Sequence, residues 1–187
     1  MDRIDYFYFI IDVSKSMAGR KIGAVNDAVN NIVYRLKRFV GSRDLTFKIV
    51  SMTYADKPYW SNSIPVEVSG YVFSDLLTIG TESNLGIALT ELNEKLLRQS
   101  EVDTEKGAST TIVIFSDGMS TDDIRAPLEV LKNNEMFVNS NRIAVTFDDE
   151  LSRDIAFEDL GLLVNKEENI IVDDFVKLNK MLFEKYK

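Results

Sequence analysis

Short apolar segments alternate with amphipathic helical patterns along the chain, and this alternation constrains the fold more than any other feature. Residues 6–11 form a continuous apolar run, and residues 110–115 form a second segment of the same kind. Such runs are typical of strands that are buried on both faces of a sheet. Because helical patterns separate them, the sequence predicts an α/β fold. Its central sheet is doubly wound and mostly parallel, with one short antiparallel edge strand and helices on both faces.

The remaining elements follow from the same periodicities. Further strands are predicted over residues 45–54, 143–147 and 170–172, and Pro65 favours an edge position for a short strand over residues 64–68. Helices are predicted over residues 22–36, 85–96, within 122–134, over 151–163, and after a cap at Asp173 or Asp174. The length of 187 residues and the absence of a linker segment predict one domain over residues 1–187.

The composition excludes several kinds of site and partner. The net charge of −8 argues against nucleic acid and anionic membranes, because both require clustered Lys and Arg. The chain has no Cys and no His, so thiolate zinc sites and Ser-His-Asp triads are excluded. A metal site would be built from oxygen, which favours Mg²⁺, with Mn²⁺ or Ca²⁺ as alternatives. The apolar run over residues 6–11 is too short to span a bilayer, and a cytoplasmic location is expected.

Candidate ligands follow the first buried strand. Asp12, Ser14 and Ser16 recur at every second residue just where this strand ends. In an extended segment alternate side chains point the same way, so the three oxygens can converge on one point. Taken alone, the same residues are at least as typical of a helix cap or a turn.

Two further segments strengthen the metal hypothesis. Asp117 follows the second buried strand, and the loop over residues 80–84 supplies the Ser83 hydroxyl before the next helix. Ligands of doubly wound sheets bind outside the carboxyl ends of the strands, where all these side chains are predicted to lie. Two carboxylates neutralise a divalent ion while hydroxyls add no charge, so the ion could still accept a carboxylate from a partner.

The pattern resembles the metal-ion-dependent adhesion site of von Willebrand factor type A domains, whose signature is Asp-x-Ser-x-Ser, then a Thr, then an Asp. The first motif matches at Asp12, Ser14 and Ser16, and the last matches at Asp117. At the Thr position this chain has Ser83, which keeps the hydroxyl; a shift of two residues would place Thr81 there instead. The resemblance implies metal binding by these residues and a protein partner that offers an Asp, a Glu or a terminal carboxylate. It leaves the oligomeric state open.

Within that family, residues 117–123 resemble the bacterial tellurium-resistance (TerY-like) branch, through the run Asp-Gly-Met-Ser-Thr-Asp-Asp. This resemblance implies a cytoplasmic stress-response or defence setting. Asp122 and Asp123 are themselves interpreted as residues of the first turn of the next helix, where negative charge is favourable.

Two other functions compete with a binding module. A Mg²⁺-dependent phosphatase or hydrolase would need a base beside the metal; without His or Cys only a shifted carboxylate or Lys15 is available. A degenerate domain that binds no metal could act as a scaffold, and the Ser at position 83 keeps this open. The sequence favours a module that is not an enzyme.

Overall fold

The computed structural model describes residues 3–40, 45–102, 108–147 and 153–186. The acidic residues 148–150, for which the sequence predicts a solvated turn, lie outside the described residues. Seven strands and six α-helices are found in the described ranges. The strands are β1 (Arg3–Asp12), β2 (Leu45–Tyr54), β3 (Pro58–Trp60), β4 (Val66–Glu67), β5 (Ser109–Phe115), β6 (Asn141–Thr146) and β7 (Ile170–Val172). The helices are α1 (Arg20–Phe39), α2 (Leu85–Val102), α3 (Arg125–Leu131), α4 (Glu135–Val138), α5 (Arg153–Gly161) and α6 (Phe175–Phe183).

The strands form one sheet in the order β3-β2-β1-β5-β6-β7. The pairs β1–β2, β1–β5, β5–β6 and β6–β7 are parallel, which confirms the predicted doubly wound α/β fold. The predicted short antiparallel edge strand is β4, and a second short strand, β3, accompanies it. Both β3 and β4 pair antiparallel with β2, at its carboxyl end and near its middle respectively. The sequence pattern missed β3 because its three residues, Pro-Tyr-Trp, begin with a proline and form no run of β-branched residues, unlike the equally short β7.

Successive residues of β1 point into two separate cores. Phe7 and Phe9 pack with α1 and α6 on one face, and Tyr8 and Ile10 pack with α2, α3, α4 and α5 on the other. All four side chains are fully buried. A parallel strand covered on both faces must be apolar throughout, which explains the unbroken run in the sequence.

Helix boundaries follow local signals. The glycine before α1, Gly19, has φ +76°, a conformation that glycine adopts without steric cost. Pro127 lies in the first turn of α3, where a missing N–H is tolerated. Asp174 rather than Asp173 caps α6, since its carboxylate accepts a hydrogen bond from the Lys177 N–H. No helix in the described ranges is long and apolar enough to cross a membrane.

Candidate metal centre

The topology brings the predicted ligands to the switch point of the sheet, between β1 and β5, where the order of strand addition reverses. The chain passes from β1 through α1 to β2 on one side, while β5 lies on the other side of β1. Asp12 is the last residue of β1, and Asp117 follows β5 by two residues. A crevice opens at such a switch point because the connections on either side leave in opposite directions.

Asp12 is the centre of a buried hydrogen-bond cluster. One carboxylate oxygen, Oδ1, accepts from the Ser14 backbone N–H at 2.8 Å. The other, Oδ2, accepts from the Ser83 hydroxyl at 2.7 Å and from the Ser116 hydroxyl at 3.2 Å. The side chains come from three separate loops, and each of these four residues is at most 3% exposed.

The Asp12-Val13-Ser14-Lys15-Ser16 segment holds its hydroxyls close together. The Ser14 and Ser16 hydroxyl oxygens lie 3.1 Å apart, with Ser14 buried and Ser16 exposed. Val13 is fixed on both sides, since its N–H donates to the Tyr54 carbonyl and its carbonyl accepts from the Ile79 N–H. The loop therefore keeps its shape through main-chain bonds and leaves the hydroxyls available.

The middle loop presents Ser83 and turns Thr81 away. The Asp56 carboxylate accepts the N–H groups of Thr81 and Glu82, which also lower the pKa of Asp56. Thr81 is exposed, whereas the Ser83 hydroxyl reaches Asp12. The geometry favours Ser83 over Thr81 as the residue in register with the rest of the cluster.

Asp117 is buried but only half engaged. Its side chain is 2% exposed. Oδ2 accepts from the Lys21 ammonium at 3.0 Å, while Oδ1 is buried and has no hydrogen-bond partner within the described part of the chain. A buried carboxylate oxygen without a donor is costly, and a bound cation would remove that cost. The next residue, Gly118, has φ +84°, and a Cβ there would lie 2.2 Å from the Ala156 Cβ.

The electrostatics of the cluster favour a cation. Burial raises the pKa of Asp12, and the charge of Asp117 adds to the rise, while hydrogen bonds from Ser14 and Ser83 oppose it. Burial also raises the pKa of the Tyr54 hydroxyl well above its usual value, and the Asp12 and Asp117 charges contribute. Two carboxylates are thus close enough to repel each other in a poorly solvated position, an arrangement that a divalent ion relieves.

Several residues of the centre were not recognised as such from the sequence. Ser116 was seen only as a neighbour of Asp117, yet its hydroxyl binds Asp12 and accepts from the Gly118 N–H. Lys21 carried no signal, because it lies in the first turn of α1, far in sequence from Asp117. The interpretation of Asp122 was wrong: its carboxylate accepts the Gly86 and Ile87 N–H groups and so caps α2, not α3. Asp123 does serve the following helix, by accepting the Arg125 N–H.

The donor set fits a small oxygen-binding cation. It consists of two carboxylates and several hydroxyls, and no His or Cys. Among the described residues there is no cluster of three or more Asp or Glu side chains that could hold a metal. A site here would therefore depend on hydroxyl ligands and water as much as on charge, as Mg²⁺ sites commonly do.

A doubly wound sheet with an Asp and hydroxyl cluster at its switch point places the chain among the α/β domains that have a polar crevice at the carboxyl ends of their strands. The profile of the von Willebrand factor type A domain matches residues 7–182. The chain belongs to this family. Domains of the family often bind a divalent metal through such a site and generally mediate contacts between proteins. No match is found among curated proteins.

Solved structures share the fold at low sequence identity. The pilus adhesin SpaC from Lactobacillus rhamnosus GG, in its open conformation, superposes over 98% of this chain and 30% of its own, with a TM-score of 0.72 and 12% identity. The ArnB paralog VWA2 from Sulfolobus acidocaldarius superposes over 98% of this chain and 45% of its own, with a TM-score of 0.64 and 17% identity. Proximal thread matrix protein 1 from the mussel byssus, with a zinc-occupied MIDAS motif, superposes over 98% of this chain and 44% of its own, with a TM-score of 0.60 and 14% identity. The chain thus spans less than half the length of each of these proteins.

Proposed function

We propose that this domain is a metal-dependent protein-interaction module that binds an acidic group of a partner through one divalent cation. Asp12, Ser14, Ser16, Ser83 and Asp117 would hold the ion, with Mg²⁺ as the expected metal and Mn²⁺ or Ca²⁺ as alternatives. Bound there, the cation would supply an electrophilic position for a partner's Asp, Glu or terminal carboxylate. The observation that carries the proposal is the buried, unpartnered Oδ1 of Asp117 beside the Asp12 cluster.

The residues around the proposed ion have distinct roles in binding it. The two carboxylates bring a charge of −2, which matches a divalent ion, and the three hydroxyls bring none. Ser116 and the Ser14 N–H orient the Asp12 carboxylate from behind, so that it is held in place before any ion arrives. Such outer contacts fix ligands and raise metal affinity.

Calorimetric titration with Mg²⁺ and with Mn²⁺ tests the metal. The wild type is expected to bind one ion per chain, and Asp117→Asn is expected to weaken binding by at least about tenfold. Asp27→Asn is the matched control, because Asp27 is exposed on α1 and the charge change is the same. Circular dichroism confirms that each variant is folded. No uptake of either ion by the wild type contradicts the proposal.

A second experiment tests the acidic ligand. NMR spectra are recorded while the protein is titrated with an amidated Gly/Ser peptide that contains one central Asp, with and without Mg²⁺. Shifts that map to residues near Asp12 and Asp117, that need Mg²⁺ and that vanish for the peptide with Asn in place of Asp support the proposal. Shifts that are equal for both peptides, or that persist with chelator, contradict it.

The physiological setting proposed is a bacterial stress-response or defence system in the cytoplasm. It is supported by the resemblance of residues 117–123 to the tellurium-resistance branch. In this chain the run has a structural role as well, since the Ser120 hydroxyl and the Asp122 carboxylate connect the loop to Ser83 and to α2. A pull-down with and without chelator would name the partner and test metal dependence together.

We further propose that the domain has no catalytic activity. Of the candidate bases for the rival phosphatase, Lys15 is exposed at the rim. The carboxylate with a raised pKa, Asp12, accepts three hydrogen bonds and would itself be a metal ligand. The polar groups beside Asp12 are hydroxyls with no His or Cys among them. Mg²⁺-dependent turnover of a generic phosphate ester that is lost in Asp12→Ala would contradict this proposal and favour the phosphatase.

One observation favours the scaffold alternative. The Lys21 ammonium already satisfies one oxygen of Asp117, as an internal cation would in a domain that binds no metal. The titration above separates the two functions, because a scaffold takes up neither ion.

A further inference from the structure

Lys21 forms the only ion pair with either candidate carboxylate that is found in the described part of the chain. Its Nζ lies 3.0 Å from Asp117 Oδ2. The Lys21 side chain is 17% exposed and that of Asp117 is 2% exposed, so the pair is largely removed from water. An ion pair in such a place interacts strongly, and removing one partner leaves the other charge buried and uncompensated.

The start of α1 fixes where Lys21 can reach. Gly19, at positive φ, ends the turn that follows the Asp12 loop, and α1 begins at Arg20. Lys21 is therefore in the first turn of a 20-residue helix whose buried face is anchored by Ile22 and Val25. The long side chain extends from this anchored position over to the β5 loop, which carries Asp117.

Charge balance explains why the pair matters to a metal. Without an ion, two buried carboxylates face each other and Lys21 supplies compensating charge. With an ion on Oδ1, the oxygen that has no hydrogen-bond partner in the described ranges, the cation would supply that charge itself and would be repelled by the ammonium on Oδ2. Lys21 therefore stabilises the Asp117 carboxylate in the metal-free domain, and the ion would stabilise it in the metal-bound domain.

We propose that Lys21 is a built-in counter-cation of the metal centre, whose ammonium neutralises Asp117 in the metal-free domain and opposes the binding of a divalent ion. This inference rests on the proposed metal function and adds a residue that sets the affinity of the centre. Lys21 keeps the empty centre stable and correspondingly lowers its affinity for the ion.

Substitution of Lys21 tests this by its effect on affinity and on stability together. In Lys21→Met the apolar stem is kept and the charge is removed. Mn²⁺ affinity, measured by calorimetry, is expected to rise by about tenfold or more, because the competing cation is gone. The melting temperature in EDTA is expected to fall, and the gain in melting temperature on adding Mn²⁺ is expected to exceed that of the wild type.

Two controls bracket the result. Lys15→Met removes the same charge from an exposed residue of the adjacent Asp12 loop and is expected to leave Mn²⁺ affinity within about twofold of the wild type, because exposed charges are screened. Lys21→Arg keeps the charge and is expected to retain the lower affinity.

The outcomes separate this inference from the proposed function. Wild-type binding with no tightening in Lys21→Met overturns the inference and leaves the metal function standing. Equal tightening in Lys15→Met and Lys21→Met also overturns it, since the effect would then be one of net charge. Absence of binding in all four proteins overturns both the metal function and the inference.

Discussion

At the scale of single residues, two buried aspartates of β1 and its neighbour β5 differ in how completely they are satisfied. The Asp5 carboxylate, at the amino end of β1, accepts hydrogen bonds from Arg3, Ser109 and Tyr186. Asp117 has one oxygen paired and one without a partner in the described ranges. A fully bonded buried carboxylate is structural, whereas an unpaired one points to a ligand.

The Ser83 hydroxyl gives a prediction at this scale. Ser83→Ala removes the 2.7 Å hydrogen bond to the buried Asp12 carboxylate and is expected to lower the free energy of unfolding by roughly 2 kcal/mol in EDTA. It is also expected to weaken Mn²⁺ binding. Urea unfolding followed by circular dichroism measures the first effect, and calorimetry the second.

Thr81→Ala is the matched control for Ser83→Ala. Thr81 is exposed, and among the described residues only its backbone N–H is engaged, by Asp56, so neither stability nor affinity should change. If Thr81→Ala had the larger effect on metal binding, the register of the middle loop would be wrong and Thr81 would be the ligand.

Local sequence patterns predicted most members of the centre, and they missed two members that act through contacts distant in sequence. Asp12, Ser14 and Ser16 follow from strand periodicity, and Asp117 follows from a buried strand end. Ser116 and Lys21 act through contacts across more than 90 residues, which no local pattern encodes. Their roles became visible only when the loops were placed in space.

At the scale of elements, α2 is the helix most closely tied to the centre. Its N-terminus follows Ser83, and its first N–H groups are satisfied by Asp122 from the β5–α3 connection. The Thr121 N–H and hydroxyl bind Ser83 and Asn84 in turn. The middle and last motifs are thus held as one unit, which explains why the polar run after Asp117 is longer than a helix cap requires.

Gly86, in the first turn of α2, provides a test of this docking. A Cβ there would lie 2.1 Å from the Asp123 carbonyl oxygen, a main-chain atom that cannot rotate away. Gly86→Ala is expected to destabilise the domain by about 1–3 kcal/mol, even though Ala is the better helix former by about 1 kcal/mol. Thermal or urea unfolding measures the change.

Gly23 in α1 provides the control, because a Cβ there meets no atom within 4 Å. Gly23→Ala should stabilise the domain by about 0.5–1 kcal/mol through helix propensity alone. Stabilisation by both substitutions would mean that the 120–123 loop does not pack against α2 as described.

Element types were predictable because apolar periodicity records which faces are buried. The bounds of β2 and β7 agree with the predicted ranges, and α1 extends the predicted helix by a few residues at each end. The partner of an acidic cap was not predictable, since Asp122 serves a helix whose first turn lies more than 30 residues earlier in the chain. Nor was β3, a three-residue strand that is set by its pairing with β2.

At the scale of the whole molecule, the carboxyl-end and amino-end edges of the sheet differ in the polar groups that they carry. The carboxyl ends of β1 and β5 carry the candidate metal centre. At the amino ends, Asp5 joins β1 to Ser109 of β5 and to Tyr186 and Lys185 after α6, which closes the fold. Aromatic contacts of Tyr186 with Phe39 and Phe47 strengthen the same end.

The Asp5 cluster predicts a pH dependence of stability. Burial alone would raise the pKa of Asp5, but hydrogen bonds from Ser109 and Tyr186 and the charges of Lys185 and Arg3 lower it overall. The folded state therefore favours the ionised form. Its contribution is complete above the ordinary value of 3.8 and is lost as pH falls from there through the lower folded-state pKa.

Asp5→Asn tests this linkage. At pH 7 the variant is expected to be less stable by about 1–3 kcal/mol, because it loses the hydrogen bonds and ion pairs of the charged carboxylate. The loss should be no larger, since Arg3 and Lys185 are partly exposed and water can solvate them. The difference should shrink in urea titrations at pH 3, where the wild-type contribution is fading. A difference that is constant from pH 7 to pH 3 would show that ionisation of Asp5 is not the source; Asp27→Asn serves as the surface control.

The central claim is that side chains from three loops share a single cation at the carboxyl end of the sheet. Anomalous diffraction from crystals grown with Mn²⁺ tests it most directly, because it locates the ion itself. The account predicts one strong peak within coordination distance of Asp12, Ser14, Ser16, Ser83 and Asp117, directly or through water. A peak elsewhere, or density in which Lys21 remains bound to Asp117 and no ion is present at saturating Mn²⁺, would contradict it.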